Sequence, residues 1–319
     1  MKLGYGSIIT YGLVTLALMG SSIGHSAYMG PSTASFANLP WAPPSWHPNP
    51  EALIGLPNMD VDVPQDLHSI KGMRSQSIFV FDLDAGEILV ARAADEPRPV
   101  ASLTKLTTSL AMASEDPDLD REFCINKEFW PTRPGARSKF STGDCYTGWD
   151  LMGAALVASD NRGAYGMQVL SDLSYYDFVA RMDQVSEELG MTRSTWADPS
   201  GLEDDNLSTA RDMARAAVAV ASHPTLAMAA TAPAWWIVRT DVDQTRWLPS
   251  TDRLTGRADV EVLAGKTGYT DTAGYCFAGV IQLKNGRRLA LSVLGAPRSA
   301  DRWADVDRIV REFSGADAG

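Results

Sequence analysis

Basic residues are scarce in this chain, cysteine and histidine are scarcer, and no apolar run is long enough for an ordinary bilayer-spanning helix. The 319 residues carry 28 lysines and arginines against 39 acidic side chains, a formal charge of −11. That balance excludes nucleic acid as a partner, because phosphate binding needs clustered Lys and Arg. The histidines (His25, His47, His68 and His223) are scattered, with no HExxH and no Cys-pair spacing, so no metal is expected and no cofactor is implied. What is present is apolar material: 45% of the residues are hydrophobic, enough for a sizeable core and too much for a disordered or fibrous chain.

The N-terminal residues 1–27 read as an export signal. Lys2 precedes a mostly apolar stretch from Ile8 to Met19, with small residues running to Ala27. At about a dozen residues the stretch is short of the roughly 20 a membrane span needs, and an uncleaved anchor is the alternative. Residues 28–72 form a Pro-rich linker or draping arm, with eight of the 18 prolines between Pro31 and Pro64. Trp41 and Trp46 in this arm pack on the domain surface or meet a partner, packing being favoured. The remaining 73–316 is the folded unit.

Within it, Ser77 to Leu83, the turn Asp84-Ala85-Gly86 and Glu87 to Ala93 spell a hairpin. Ala101 to Ala113 is a helix candidate, as are Asp150 to Ala158, Tyr176 to Leu189 and Thr209 to Ala221. Thr209 to Asp212 has the spacing of a capping box. Strand character returns at Val260 to Ala264 and Tyr275 to Leu283, and Asn285-Gly286 turns the chain into Arg288 to Leu294. Trp303 to Phe313 closes with a helical pattern. Strands at both ends around a helical middle predict an α/β (α+β) fold: one sheet built from both termini, covered by helices, with an inserted all-helical subdomain at about 114–234.

Three motifs carry chemistry. Ser102-Leu103-Thr104-Lys105 opens a helix, where residues three apart share a face, so Lys105 reaches the Ser102 hydroxyl. Ser159-Asp160-Asn161 follows an apolar helix, and Lys266-Thr267-Gly268 stands where strand character begins. Each alone is weak. Their order, SxxK then SxN then KTG across one domain, is much stronger.

The set resembles that of penicillin-binding proteins and class A β-lactamases. The surroundings narrow the resemblance to the low-molecular-mass D-alanyl-D-alanine carboxypeptidases and endopeptidases of serine peptidase family S11. They are Pro99 to Lys105, Ser159 to Arg162, Asp198-Pro199-Ser200-Gly201-Leu202, Asn206 to Asp212, and Lys266 to Thr270 followed by Ala273-Gly274-Tyr275. Such a resemblance implies a β-lactamase/transpeptidase-like fold, peptidoglycan stem peptides as substrates and β-lactams as covalent inhibitors. It makes Ser102 the nucleophile, Lys105 its base, and Ser159 the relay to the leaving group. Asn161 would hold the substrate amide and orient Lys105, while Lys266 and Thr267 would take the terminal carboxylate. Gly268 would let an extended substrate lie close, the amides of Ser102 and Tyr269 would form the oxyanion hole, and Arg302 would also meet the carboxylate. An exposed helix-start arginine is the alternative for Arg302.

A lysine acts as a base only when neutral, which about one in 2,500 is at pH 7 with an unperturbed pKa. Burial and a second ammonium, Lys266, are both expected to lower the pKa of Lys105. A class A β-lactamase remains the rival enzyme, although no ExxLN-type segment lies between Ser159 and Lys266. A non-catalytic wall-binding protein is the rival of another class, although Ser102 and Lys105 are both intact. Carboxypeptidase and endopeptidase stay open, with Asn206 to Asp212 closer to the endopeptidase branch. Cys124 and Cys145 are expected to pair in a small hairpin about Gly135 and Gly143, leaving Cys276 a buried free thiol.

Overall fold

The computed structural model describes residues 57–61, 63, 67, 70–129 and 138–315. The export signal, the stretch holding Trp41 and Trp46, and Gly135 lie outside the described residues. The last described part of the arm belongs to the domain. Met59 is buried in the core, its carbonyl accepts from Arg211, and Asp60 pairs with Arg215.

The sheet is built from both ends of the chain. Strands β1 (Ser77–Asp82) and β2 (Glu87–Arg92) form the first hairpin, and β9 (Val260–Thr270), β10 (Gly274–Leu283) and β11 (Arg288–Ala296) come from the far end. Their order is β2-β1-β11-β10-β9, with every neighbouring pair antiparallel. All of β1 is buried, which explains its continuous apolar run: helices cover both faces. Ile78 and Val80 meet Trp303, Val306 and Ile309 of the C-terminal helix Ser299–Phe313, while Phe79 and Phe81 join the larger core on the other face. Residue alternation along one strand thus feeds two cores.

Between the two groups of strands the chain builds the helical layer. It begins with a short ribbon strand β3 (Arg98–Pro99), the tight turn Ala101–Leu103 and helix α1 (Thr104–Ala113). Strands β4 (Glu122–Cys124) and β5 (Cys145–Thr147) then pair, with Cys124 opposite Cys145 and a disulfide joining them. Helices α2 (Gly148–Val157), α3 (Asn161–Leu170) and α4 (Tyr175–Glu188) follow. After β6 (Leu207–Ser208), which pairs with β3, come α5 (Ala210–Ala221) and α6 (Pro224–Thr231). Helix α5 lies across β1, β9, β10 and β11, and its alanines allow that close approach.

Three details depart from the sequence reading. Thr209 does cap α5 by accepting from the Asp212 amide, but the reciprocal half of the box is replaced. The Asp212 carboxylate goes instead to Ser194, Arg193 and Arg215, and the full reciprocal box forms at Thr147 and Asp150. Helices α3 and α6 fall inside the expected helical subdomain, while β4, β5 and β6 interrupt it and a ribbon of β7 (Ala234–Arg239) with β8 (Gln244–Pro249) was not expected. Finally, the Lys266 motif lies inside β9, not at the beginning of strand character, because the backbone pairs with β10 from Val260 through Thr270.

Cys276 is free and buried, and burial pushes its thiol up to about 11. Denatured but unreduced protein should therefore titrate one thiol, and reduced protein three. Removing the disulfide should cost about 3 kcal/mol, since it closes a loop of roughly 20 residues. Three thiols titrating before reduction would contradict the pairing.

Candidate active site

The nucleophile candidate sits on a strained turn. Ala101 has φ of +50°, in the left-handed region, and the Thr104 hydroxyl closes the turn by donating to the Ala101 carbonyl at 2.8 Å. This lifts Ser102 to the start of α1, with Lys105 one turn behind it. The Lys105 amine is fully buried and donates to three neutral oxygens: Ser102 Oγ at 2.9 Å, Asn161 Oδ1 at 2.8 Å and the Ser200 carbonyl at 2.6 Å. Burial lowers its pKa to about 8, while the carboxylates of Asp198 and Asp160 pull it back up. At that value about one Lys105 in ten is neutral at pH 7, a gain of more than a hundredfold over a free lysine. Lys105 and Lys266 repel one another, and each is held below the ordinary lysine value chiefly by burial.

Ser200, which supplies the third acceptor, is fixed by Asp198. That carboxylate accepts from the Ser200 hydroxyl and amide, the Gly201 amide at 2.9 Å and the Asn206 side-chain amide. Thr108 of α1 ties the loop to the helix through the Pro199 carbonyl at 2.7 Å. Gly201, at φ +83°, presses on the nucleophile turn so closely that a Cβ there would overlap the Ala101 carbonyl.

Ser159 occupies a second left-handed position, φ +59°, between α2 and α3. Asp160 caps α3 by accepting from Gly163, which fixes Asn161 as the first helical residue, facing Lys105. From the other wall, β9 brings Lys266, 1% exposed, whose amine donates to Ser159 Oγ at 2.9 Å and to the Thr267 carbonyl at 3.0 Å. Its pKa lies well below the usual lysine value because of burial, with Lys105 and Arg302 adding repulsion. Thr267 donates to the Thr251 hydroxyl at 2.6 Å. Gly268 is required for a reason other than substrate clearance. A Cβ there would stand 2.8 Å from the Val100 carbonyl and 3.1 Å from the Ser102 amide, so β9 could not lie against the nucleophile turn.

One cleft of about 740 Å³ is lined by Ser102, Ser159, Asn161, Thr267, Tyr269 and Arg302, with Asp204 and Asp271 at its border and the two lysines buried behind it. Arg302 is not an exposed helix-start residue. It is 6% exposed, donates to the Cys276 carbonyl at 3.1 Å and lies 4.5 Å over the Trp303 ring. Tyr269, half exposed, stacks on Tyr275 with ring centres 4.2 Å apart.

Sequence reasoning gave no role to Asp198, Ser200, Thr251 or Asp252. The first two stand in a turn-forming Asp-Pro-Ser-Gly segment that could have flagged them. Asp252 carries no such signal. It is buried beside Gly265, its Oδ1 accepts from Leu254 at 2.8 Å, and its Oδ2 has no hydrogen-bond partner. Burial raises its pKa to about 6 against the opposing pull of Arg302, Lys266 and Arg257.

The family described as D-alanyl-D-alanine carboxypeptidase, peptidase S11, matches residues 64–298. The chain is 26% identical over 235 residues to a D-alanyl-D-alanine endopeptidase of Escherichia coli, covering 74% of this chain and 76% of that protein. It is 29% identical over 239 residues to a D-alanyl-D-alanine endopeptidase of Pseudomonas aeruginosa, covering 75% and 77%. In fold it is similar to a D-alanyl-D-alanine carboxypeptidase of Mycobacterium tuberculosis, with a TM-score of 0.69, 24% identity, and coverage of 80% of this chain and 98% of that one. Penicillin-binding protein D2 of Listeria monocytogenes, solved with cefotaxime bound, gives a TM-score of 0.64 at 27% identity, covering 76% and 97%. The chain therefore belongs to the S11 family of low-molecular-mass penicillin-binding proteins. Its activity is that of a serine-type D-Ala-D-Ala peptidase, a hydrolase of carboxypeptidase or endopeptidase type.

The buried carboxyl of Asp252 makes a stability test. Its pKa is 3.8 unfolded and about 6 folded, so the native state holds the proton to higher pH. Stability should decline as pH rises from about 4 to 6, by on the order of 2–3 kcal/mol. Asp252→Asn should flatten that decline in denaturant melts taken across this range, and an unchanged decline would contradict the assignment.

Proposed function

We propose that the chain is an extracytoplasmic D-Ala-D-Ala endopeptidase that cuts peptidoglycan cross-links through an acyl-enzyme on Ser102. The observation that carries the catalytic reading is the Lys105 amine 2.9 Å from Ser102 Oγ, buried among neutral acceptors. Neutral Lys105 takes the Ser102 proton as the hydroxyl attacks the carbonyl of the penultimate D-Ala. The amides of Ser102 and Tyr269 receive the developing oxyanion. Ser159, bonded to Lys266, passes a proton to the leaving amine, which departs as the acyl bond forms. Water then hydrolyses the ester and regenerates Ser102. Asn161 holds the substrate amide, and Thr267, Lys266 and Arg302 form the cationic and hydroxyl side that takes a carboxylate.

The endopeptidase reading is supported by the E. coli and P. aeruginosa relatives, which carry that name and match over three quarters of their length. Residues 1–27 serve as an export signal and 28–72 as an arm whose Met59 packs into, and whose Asp60 pairs with, the catalytic unit 73–316, with about 114–234, which also holds β4, β5 and β6, as its mostly helical part. Export places the enzyme with its polymer substrate, in a compartment where the Cys124–Cys145 disulfide persists.

Intact mass after exposure to penicillin should show one covalent adduct, absent in Ser102→Ala. An adduct that survives this substitution would sink the nucleophile assignment. Defined muropeptides separate the two activities. Cross-linked dimers should fall to monomers faster than pentapeptide monomers lose D-Ala. Release of terminal D-Ala with dimers left intact would overturn the endopeptidase reading and leave the acyl-enzyme standing.

A further inference from the structure

The ribbon β7–β8 presents two faces of opposite character. Trp235, Ile237 and Leu248 are buried against the helical layer, and Gly153 of α2 makes room for Trp235, since a Cβ there would overlap the indole. On the opposite face Trp236 stands directly across from Trp247 in the strand register. They remain 43% and 49% exposed. Directly opposed positions on one face of a ribbon bring their Cβ atoms within about 4.5–5.5 Å, so both indoles are presented on the same face. Two half-exposed tryptophans side by side are not needed to hold the ribbon, whose inner face is already packed.

The platform is held rigidly. The Val238 amide donates to Asp150 at 2.9 Å, the Thr240 amide to the Cys145 carbonyl at 2.9 Å, and Arg246 to the Lys139 carbonyl at 3.0 Å. It is also continuous with the cleft. Strand β8 ends at Pro249, the Ser250 amide bonds back to Pro233, and the next residue, Thr251, lines the cleft and accepts from Thr267. Thr251 follows Trp247 by four positions, at most about 14 Å of extended chain.

We propose that Trp236 and Trp247 form a sugar-stacking platform that binds the glycan strand to which the scissile peptide is attached. This deepens the reading of the cleft as a peptidoglycan-cutting site and rests on it. The apolar C–H face of a pyranose ring matches an exposed indole, whose size and stiffness give contact area at low entropic cost. An extended peptide of about four residues has the same maximum reach, about 14 Å, so a peptide seated in the cleft can bring the sugar attached to it to the ribbon. With the peptide end in the cleft, the ribbon is where the sugar end arrives.

The test compares cross-linked muropeptides that keep their sugars with the same peptides after the sugars are removed. The wild type should show a KM about tenfold lower for the sugar-bearing form, the size expected of two aromatic contacts. The double variant Trp236→Ala, Trp247→Ala should lose that preference, and Trp236→Phe, Trp247→Phe should keep most of it. All three should cleave sugar-free peptide alike and melt at similar temperatures. Penicillin acylation of Ser102, measured in parallel, reports on the catalytic reading separately. No sugar preference in the wild type, or an undiminished one in the alanine variant, would overturn the platform. So would finding that the tryptophans instead govern binding to phosphatidylglycerol vesicles or self-association in sedimentation.

Discussion

The Lys105 amine lies wholly out of water, with neutral oxygens of Ser102, Asn161 and Ser200 around it. Taking an ammonium into such a place, with no carboxylate bonded to it, lowers its pKa from 10.5 to about 8. That shift corresponds to about 3 kcal/mol of disfavoured charge. The rest of the centre can be understood as what this burial demands. The three acceptors come from three segments remote in sequence, and each must be held by something else. The Ala101 turn holds the first, the Asp160 cap the second, and the Asp198 network the third. Of the five non-glycine residues in the left-handed region among the described residues, Ala101 and Ser159 lie in this centre and mark where the surrounding structure over-determines the backbone.

Opposite Lys105 the same logic is repeated with a different outcome. Lys266 is buried beside Ser159, and its nearest influences are cationic, Lys105 and Arg302, with Asp252 the only opposing charge among its causes. Arg302 lines the cleft, together with Asp204 and Asp271, while Lys105 and Lys266 lie buried behind Ser102 and Ser159, so basic groups stand close behind the wall that would receive a substrate carboxylate. In the free protein that concentration of like charge is a cost. An anionic ligand relieves it, which couples substrate binding to the protonation of the two lysines. The sheet makes this possible because its edge strand β9 contributes Lys266 and Thr267 through a long ladder with β10, while the helical layer contributes the serines.

Much of this was legible in the sequence. The three motifs named the serines, both lysines and Asn161 because their chemistry depends on residue type and order, and short local spacing survives folding. The first hairpin and the turn at Asn285-Gly286 were readable from alternation and turn chemistry. What escaped depended on tertiary contact. Asp252 matters because Gly265 leaves room for it, and Ser200 matters through a carbonyl that no side-chain pattern records. Gly268 was legible as a close-approach glycine, but the approaching backbone is Val100 to Leu103 of the protein itself. The ribbon β7–β8 was not read from the sequence, and its inner face shows only in the fold, where Trp235 packs against Gly153.

The direct measurement of the central claim is the protonation of Lys105 itself. In protein carrying isotope-labelled lysine, the Lys105 Cε resonance, assigned by its loss in Lys105→Arg, can be followed from pH 6 to 11. A midpoint near 8 is the predicted result. A midpoint at the ordinary lysine value near 10.5 would contradict it, because Lys105 would then be an ammonium at neutral pH and could not take the proton from Ser102.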